Sequence, residues 1–112
     1  MDAWELDTLE AARADAGKLY YEFLSVPDLS AGLYILEAGA IDPQSPHKED
    51  ELYVVMSGRG RVTVGDDDRE IGPGTLIFVA ADVVHRFHDI TERLVLLVGF
   101  GPAEGSRAAS AG

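Results

Sequence analysis

Apolar and polar positions change rhythm once along this chain. Over residues 7–16 (DTLEAARADA) the spacing predicts a short helix. Asp7 and Glu10 stand at capping-box spacing, and Gly17 lies where a helix would stop. A helix this short is not stable alone, so Trp4, Leu6 and Leu9 are expected to pin it onto a larger body. From Lys18 onward the helical period disappears. Residues 19–24 (LYYEFL), 32–37 (GLYILE), 51–57 (ELYVVMS), 61–64 (RVTV), 69–71, 75–80 (TLIFVA), 85–89 (HRFHD) and 93–100 (RLVLLVGF) read as strands. Between them lie turn-formers: a loop over 39–50 carrying Pro43 and Pro46, a Ser57-Gly58-Arg59-Gly60 turn, a Gly65–Asp68 hairpin turn and Gly72-Pro73-Gly74.

Turns at intervals of this kind imply an all-β barrel or sandwich. No long amphipathic helix exists to link parallel strands, so the sheet is expected to be mostly antiparallel. Three parts follow: a helical segment over 1–17 packed on the barrel, a barrel over 18–100, and a small, polar, flexible tail over 101–112. The run Leu94 to Val98 is apolar on both faces. One face can fill a barrel; the other needs a second sheet or a second subunit, which points to a homodimer.

Composition narrows the function. With 112 residues the chain holds one domain, and 46% hydrophobic content is enough for a real core. There is no cysteine, so disulfides and thiolate metal sites are excluded and any metal must take nitrogen or oxygen ligands. The formal charge of −11 repels a phosphate backbone and an anionic membrane, so no nucleic-acid or membrane partner is expected. The acidic N-terminus has no basic-then-apolar segment and no run spans a bilayer, which points to the cytoplasm.

Candidate chemistry gathers around the histidines. On the alternation of an extended strand, His47 shares a face with Ser45, Glu49 and Glu51, while His85 shares one with Phe87 and not with His88. Two imidazoles and one or two carboxylates from distant strands can hold a divalent ion with open positions. Glu49 enters this set by parity alone, and either Glu49 or Glu51 can supply the carboxylate. Tyr53 and Phe87, in phase with Glu51 and His85, are candidate walls of a ligand pocket. No serine sits on a nucleophile elbow, and Gly58-Arg59-Gly60 lacks the strand-then-helix context of a phosphate loop.

The segment from residue 32 to 100 resembles the small single-domain cupins. Their first motif places six residues between a Glu and a Gly, as between Glu51 and Gly58 here, and His47 takes the place of that motif's second histidine. The second motif is matched by Gly74, by His85 within the run VVHRF, and by Asp89 in the place of an Asn. Three positions depart: Ser45 replaces the first histidine, Ala80-Ala81-Asp82 replaces a Pro-x-Gly turn, and Asp89 replaces the Asn. The resemblance implies a single-domain cupin jelly-roll β-barrel with a short N-terminal helix. It also implies one divalent metal ion (Fe, Mn, Ni, Co or Zn) on His47, Glu51 and His85. The expected activity is that of a metal-dependent enzyme on a small organic molecule, of dioxygenase, isomerase, lyase or cyclase type. The alternatives are a non-catalytic binding or sensing module using the same pocket, and a dimerising domain whose barrel is filled by Phe78, Phe87 and Leu96.

Overall fold

A computed structural model describes residues 1–107. One helix, α1 (Leu6–Ala16), precedes six strands: β1 (Tyr20–Val26), β2 (Leu29–Leu36), β3 (Asp50–Val64), β4 (Asp67–Ile71), β5 (Leu76–Val79) and β6 (His85–Gly101). Every pairing is antiparallel, in the order β1-β2-β6-β3-β4, with β5 added on β3. The expected all-β jelly-roll barrel with a short N-terminal helix is the fold observed.

Two strands are much longer than the apolar pattern implied. The Ser57–Gly60 stretch is no turn: β3 runs through it, and β6 runs unbroken through residues 90–92. Glycines and polar side chains there mimic turn composition, but they serve a set of register shifts between β3 and β6 at Val55/Ser57, Ser57/Arg59 and Arg59/Arg61. Such bulges bend a strand and raise its twist. The first half of β3 thereby pairs with β5 and the second half with β4, both along β6. Gly58 has φ +95, and a Cβ there would stand 2.0 Å from the Arg93 carbonyl oxygen, so the crossing requires a glycine. The hairpin turn also narrows to Gly65-Asp66, since Val64 already pairs with Asp67.

Alternation sorts the side chains. Glu51, Tyr53 and Val55 of β3 point inward, with Val62 beyond the bulges, and they meet Phe87, Leu94, Leu96, Val98 and Phe100 of β6. The outer face of β2 and β6 supplies Leu33, Ile35 and Val95, which pack on Leu9 of α1, with Leu6, Tyr21 and Phe23 alongside. The helix is thus the second cover that the doubly apolar β6 demanded, in place of the sheet or subunit expected there. Trp4 lies against Phe23 with ring centroids 4.9 Å apart. Gly17 ends α1 in the left-handed region, as expected, but the capping box does not form: the N-cap is Glu5, with no side-chain cap.

Two further expectations fail. Phe78 does not fill the barrel; it faces outward, because β5 turns Ile77 and Val79 inward instead. Nor does the chain fray at residue 101. Ala103 is buried, and Glu104, Gly105 and Arg107 donate backbone hydrogen bonds to the body of the barrel. Residues 108–112 of the expected tail lie outside the described residues.

Candidate metal and ligand site

The site loop joins β2 to β3 and is held from beneath by a buried aspartate. Asp42 accepts hydrogen bonds from the Phe87 N–H (2.9 Å), the Tyr34 hydroxyl, and both the backbone and side-chain amide of Gln44. A buried carboxylate is tolerated when its lone pairs are used in this way. The 2.6 Å bond from Gln44 Nε2 to Asp42 also fixes the Gln44 amide, so its carbonyl oxygen turns into the barrel. Further along, the His47 carbonyl accepts the Asp82 N–H at 2.7 Å. Asp82 has φ +67 and Asp89 φ +48. Aspartate is one of the few non-glycine residues that enters this region readily. The two motif departures at these positions therefore preserve the turn geometry.

Three of the expected site residues converge. His85 is buried at the start of β6, and its Nδ1 lies 3.0 Å from the Val83 carbonyl. An N–H must sit on that nitrogen for the contact to be favourable, and in the neutral tautomer Nε2 then carries the lone pair. Around His85 Nε2 stand Tyr53 Oη at 3.1 Å, Gln44 Oε1 at 3.2 Å and Glu51 Oε1 at 3.3 Å. His47 is half-buried, with Nε2 4.0 Å from Glu51 Oε1 and its ring edge-on to Phe100. The two imidazole centroids are 6.2 Å apart. Glu51 is only 2% exposed, and its second oxygen has no hydrogen-bond partner among the described residues.

The electrostatics follow from this burial. Desolvation raises the Glu51 pKa, against the lowering effects of the Tyr53 hydrogen bond and the two imidazoles. Burial, reinforced by the Glu51 charge, pushes the Tyr53 hydroxyl far up, so it stays protonated and acts as a donor. Glu104 is raised by burial and by the charges of Glu22 and Glu49.

The other expected residues lie elsewhere. Glu49 is 2% exposed but points at the C-terminal segment, where its two oxygens accept the Gly105 and Arg107 N–H groups at 3.0 and 3.1 Å. Parity failed to place it because β3 begins only at Asp50, so residues 47–49 do not alternate as a strand. Phe87 stands behind Tyr53, ring centroids 5.0 Å apart, in the core and not on the wall of the cavity beside His47. Ser45 is exposed. His88 is on the outer side, against Asp68 and Thr63. Two residues had no sequence signal and do reach the site: Gln44, one position before Ser45, and Glu104, whose Oε2 is 3.4 Å from His47 Nδ1. Among the described residues no three His, Asp or Glu side chains stand close enough to form an ion-binding group as they are placed, His47 Nε2 being 4.0 Å from Glu51 Oε1 where His85 Nε2 is 3.3 Å from it.

A cavity of about 110 Å³ opens beside these groups, walled by Tyr20, Gln44, His47, Tyr53, Phe100 and Glu104. The Tyr20 hydroxyl is buried without a partner among the described residues.

Fold and site together define a small antiparallel barrel with imidazoles and a carboxylate gathered inside it. The cupin domain profile matches residues 32–100, and the chain belongs to that family. It is 46% identical over 104 residues to the uncharacterized protein SCO3923 of Streptomyces coelicolor, covering 93% of this chain and 99% of that one. Among solved structures it is similar to TT1209 from Thermus thermophilus (TM-score 0.72, 24% identity, 91% of this chain and 98% of that one). It is also similar to the DMSP lyase DddQ from Ruegeria pomeroyi (TM-score 0.69, 23% identity, 88% and 55%). At these identities the structural likeness is one of fold. No helix among the described residues is long and apolar enough to cross a membrane.

Proposed function

We propose that this chain is a cytoplasmic, metal-dependent cupin that holds one divalent ion on His47, Glu51 and His85 and acts on a small organic molecule. One observation carries the reading. Around a neutral His85 Nε2, three acceptors (the imidazole lone pair, Glu51 Oε1 and Gln44 Oε1) meet beside the Tyr53 hydroxyl, and Glu51 Oε2 has no hydrogen-bond partner among the described residues. Acceptors crowded in low dielectric repel one another, and a cation removes the conflict. Two donors each about 2.1 Å from one ion stand roughly 3–4 Å apart, which is the spacing found among these atoms. Such an ion supplies Lewis acidity to a ligand bound beside it.

The chain's own residues do the rest. Tyr53 presents a protonated hydroxyl to the cavity. Glu51, with its carboxyl pKa raised by burial, is placed to hold a proton or share a charge. Phe100 and Val98 exclude water from one wall, and the Tyr20 hydroxyl, unpartnered among the described residues, offers a donor to the ligand. The small cavity favours a second reading, a module that binds without turnover. At about 110 Å³ it lies well under the roughly 300–1,000 Å³ usual for ligand pockets.

Self-association is part of the proposal. Leu52 pairs with Phe78 and Val54 with Leu76 across β3 and β5, and Leu76 and Phe78 are 63% and 61% exposed. In a chain of charge −11 this uncharged patch is where a second copy can approach with least repulsion.

Elemental analysis of protein purified without added ions tests the metal. Near-stoichiometric transition metal in the wild type and in His88→Ala, with its loss in His47→Ala and His85→Ala, is the expected result. Equal metal content in all four proteins defeats the assignment.

A further inference from the structure

The chain does not end with β6. It turns back at Gly101 and lays residues 102–107 against the barrel. Four backbone donors tie this strap down: Ala103 N–H to the Pro27 carbonyl (3.3 Å), Glu104 N–H to buried Ser30 Oγ (2.8 Å), and Gly105 and Arg107 N–H to the two oxygens of Glu49. Arg107 adds a side-chain bond to the Lys48 carbonyl. A carboxylate as buried as Glu49 is unfavourable unless it is fully paired. Here its pairing is spent on a segment that belongs to no strand, and bonds to an ionised acceptor are the stronger kind. The Ser30 and Glu49 bonds flank the one side chain the strap delivers to the cavity, Glu104.

Glu104 Oε2 lies 3.4 Å from His47 Nδ1, while His47 Nε2 is the nitrogen nearer Glu51. His85 shows a tighter version of this, with the Val83 carbonyl hydrogen-bonded at Nδ1 (3.0 Å), where Glu104 stands at ion-pair distance from His47, and with Nε2 turned to Glu51. Both rings therefore have an acceptor behind Nδ1 and their other nitrogen facing one carboxylate. A neutral imidazole carries one N–H, and an acceptor at one nitrogen draws the proton there.

We infer that the 102–107 strap is a working part of the site, and that Glu104 is a positioning residue that keeps the His47 proton on Nδ1 and its Nε2 lone pair aimed at Glu51. This rests on the proposed metal site for its purpose, but the tautomer itself can be read without any metal.

The experiment uses full-length protein stripped with chelator at pH 8, in a His88→Ala background so that only two histidines contribute. Long-range ¹H–¹⁵N correlation reads the His47 tautomer, and competition with a chromophoric chelator reads Zn²⁺ affinity. The wild-type ring should be the Nδ1–H form. Glu104→Ala should move it toward Nε2–H and weaken Zn²⁺ about 10–100-fold. Glu104→Gln, whose carbonyl still accepts, should restore the Nδ1–H form. Glu49→Gln, which loosens the strap without touching His47, should shift the tautomer in the same direction by less. An Nε2–H form in the wild type, or a tautomer indifferent to Glu104→Ala, overturns the inference. A tautomer that responds to Glu104 in a protein that binds no Zn²⁺ supports the positioning role and refutes the metal reading instead.

Discussion

Replacing Gly58 by alanine tests how the barrel is built, and Gly74 provides a matched control. Gly58 has φ +95 and Gly74 φ +89, so the two positions impose nearly the same backbone penalty on an L-residue. That penalty is about 1–2 kcal/mol. It is offset by about 0.4–1 kcal/mol because alanine restricts the unfolded chain. Nothing lies within 4 Å of a Cβ at Gly74, and its net cost should be about 1 kcal/mol. At Gly58 a Cβ would sit 2.0 Å from Arg93 O and 2.8 Å from Leu94 Cα. These are backbone atoms of the neighbouring strand and cannot rotate away. Overpacking of this kind adds about 1–3 kcal/mol, so Gly58→Ala should cost about 3 kcal/mol in all. Urea titration followed by far-ultraviolet circular dichroism measures both. With a slope of about 1.5 kcal/mol per molar, the midpoint should fall by about 2 M for Gly58→Ala and by well under 1 M for Gly74→Ala. Equal shifts for the two variants would refute the claim that the β3–β6 crossing needs a residue without a side chain.

Two further outcomes follow from the surface. Asp68 is held well below the usual carboxylate range by hydrogen bonds from Thr63, His88 and Arg61. A depressed folded-state pKa stabilises above the unfolded value of about 4 and is lost as pH falls below it. Asp68→Asn should therefore flatten the decline of melting temperature between about pH 4 and pH 2, and an unaltered acid limb would contradict the network. The exposed pair Leu76 and Phe78 should hold two copies together, so light scattering should report twice the 12.0 kDa chain mass. Phe78→Glu, which places a charge on that face, should give the single-chain mass, and a wild type that is monomeric at high concentration would remove this interface.

How much of this was legible depends on whether a residue's direction was set locally. Inside β3 the alternation held, so Glu51 and Tyr53 could be placed in the interior from parity, as could His85 and Phe87 at the head of β6. The same rule misplaced Glu49, because alternation applies only where the chain is extended and β3 starts one residue later. TLIFVA is apolar in both phases, and only the pairing of β5 with β3 decides that Phe78 is outside and Ile77 inside. The Ser57–Gly60 stretch has the composition of a turn, yet it is a run of bulges whose partner, Arg93, is distant in sequence.

The order of apolar and polar residues by itself determined an all-β barrel with its short helix and stop at Gly17, while the candidate histidines and acid were picked out by strand parity and by the resemblance to the cupin motifs. Those features follow from period and from motif spacing, which are properties of neighbouring residues. The tertiary structure alone decided that α1 covers the outer face of β6, that Gln44 rather than Ser45 turns inward, and that the segment after Gly101 returns to set Glu104 against His47. Each of these is a contact between residues whose directions are fixed by a third element: β2 for the helix, Asp42 for the amide, Glu49 for the strap. A one-dimensional pattern carries no record of such three-body placement, because each partner alone is compatible with several surroundings.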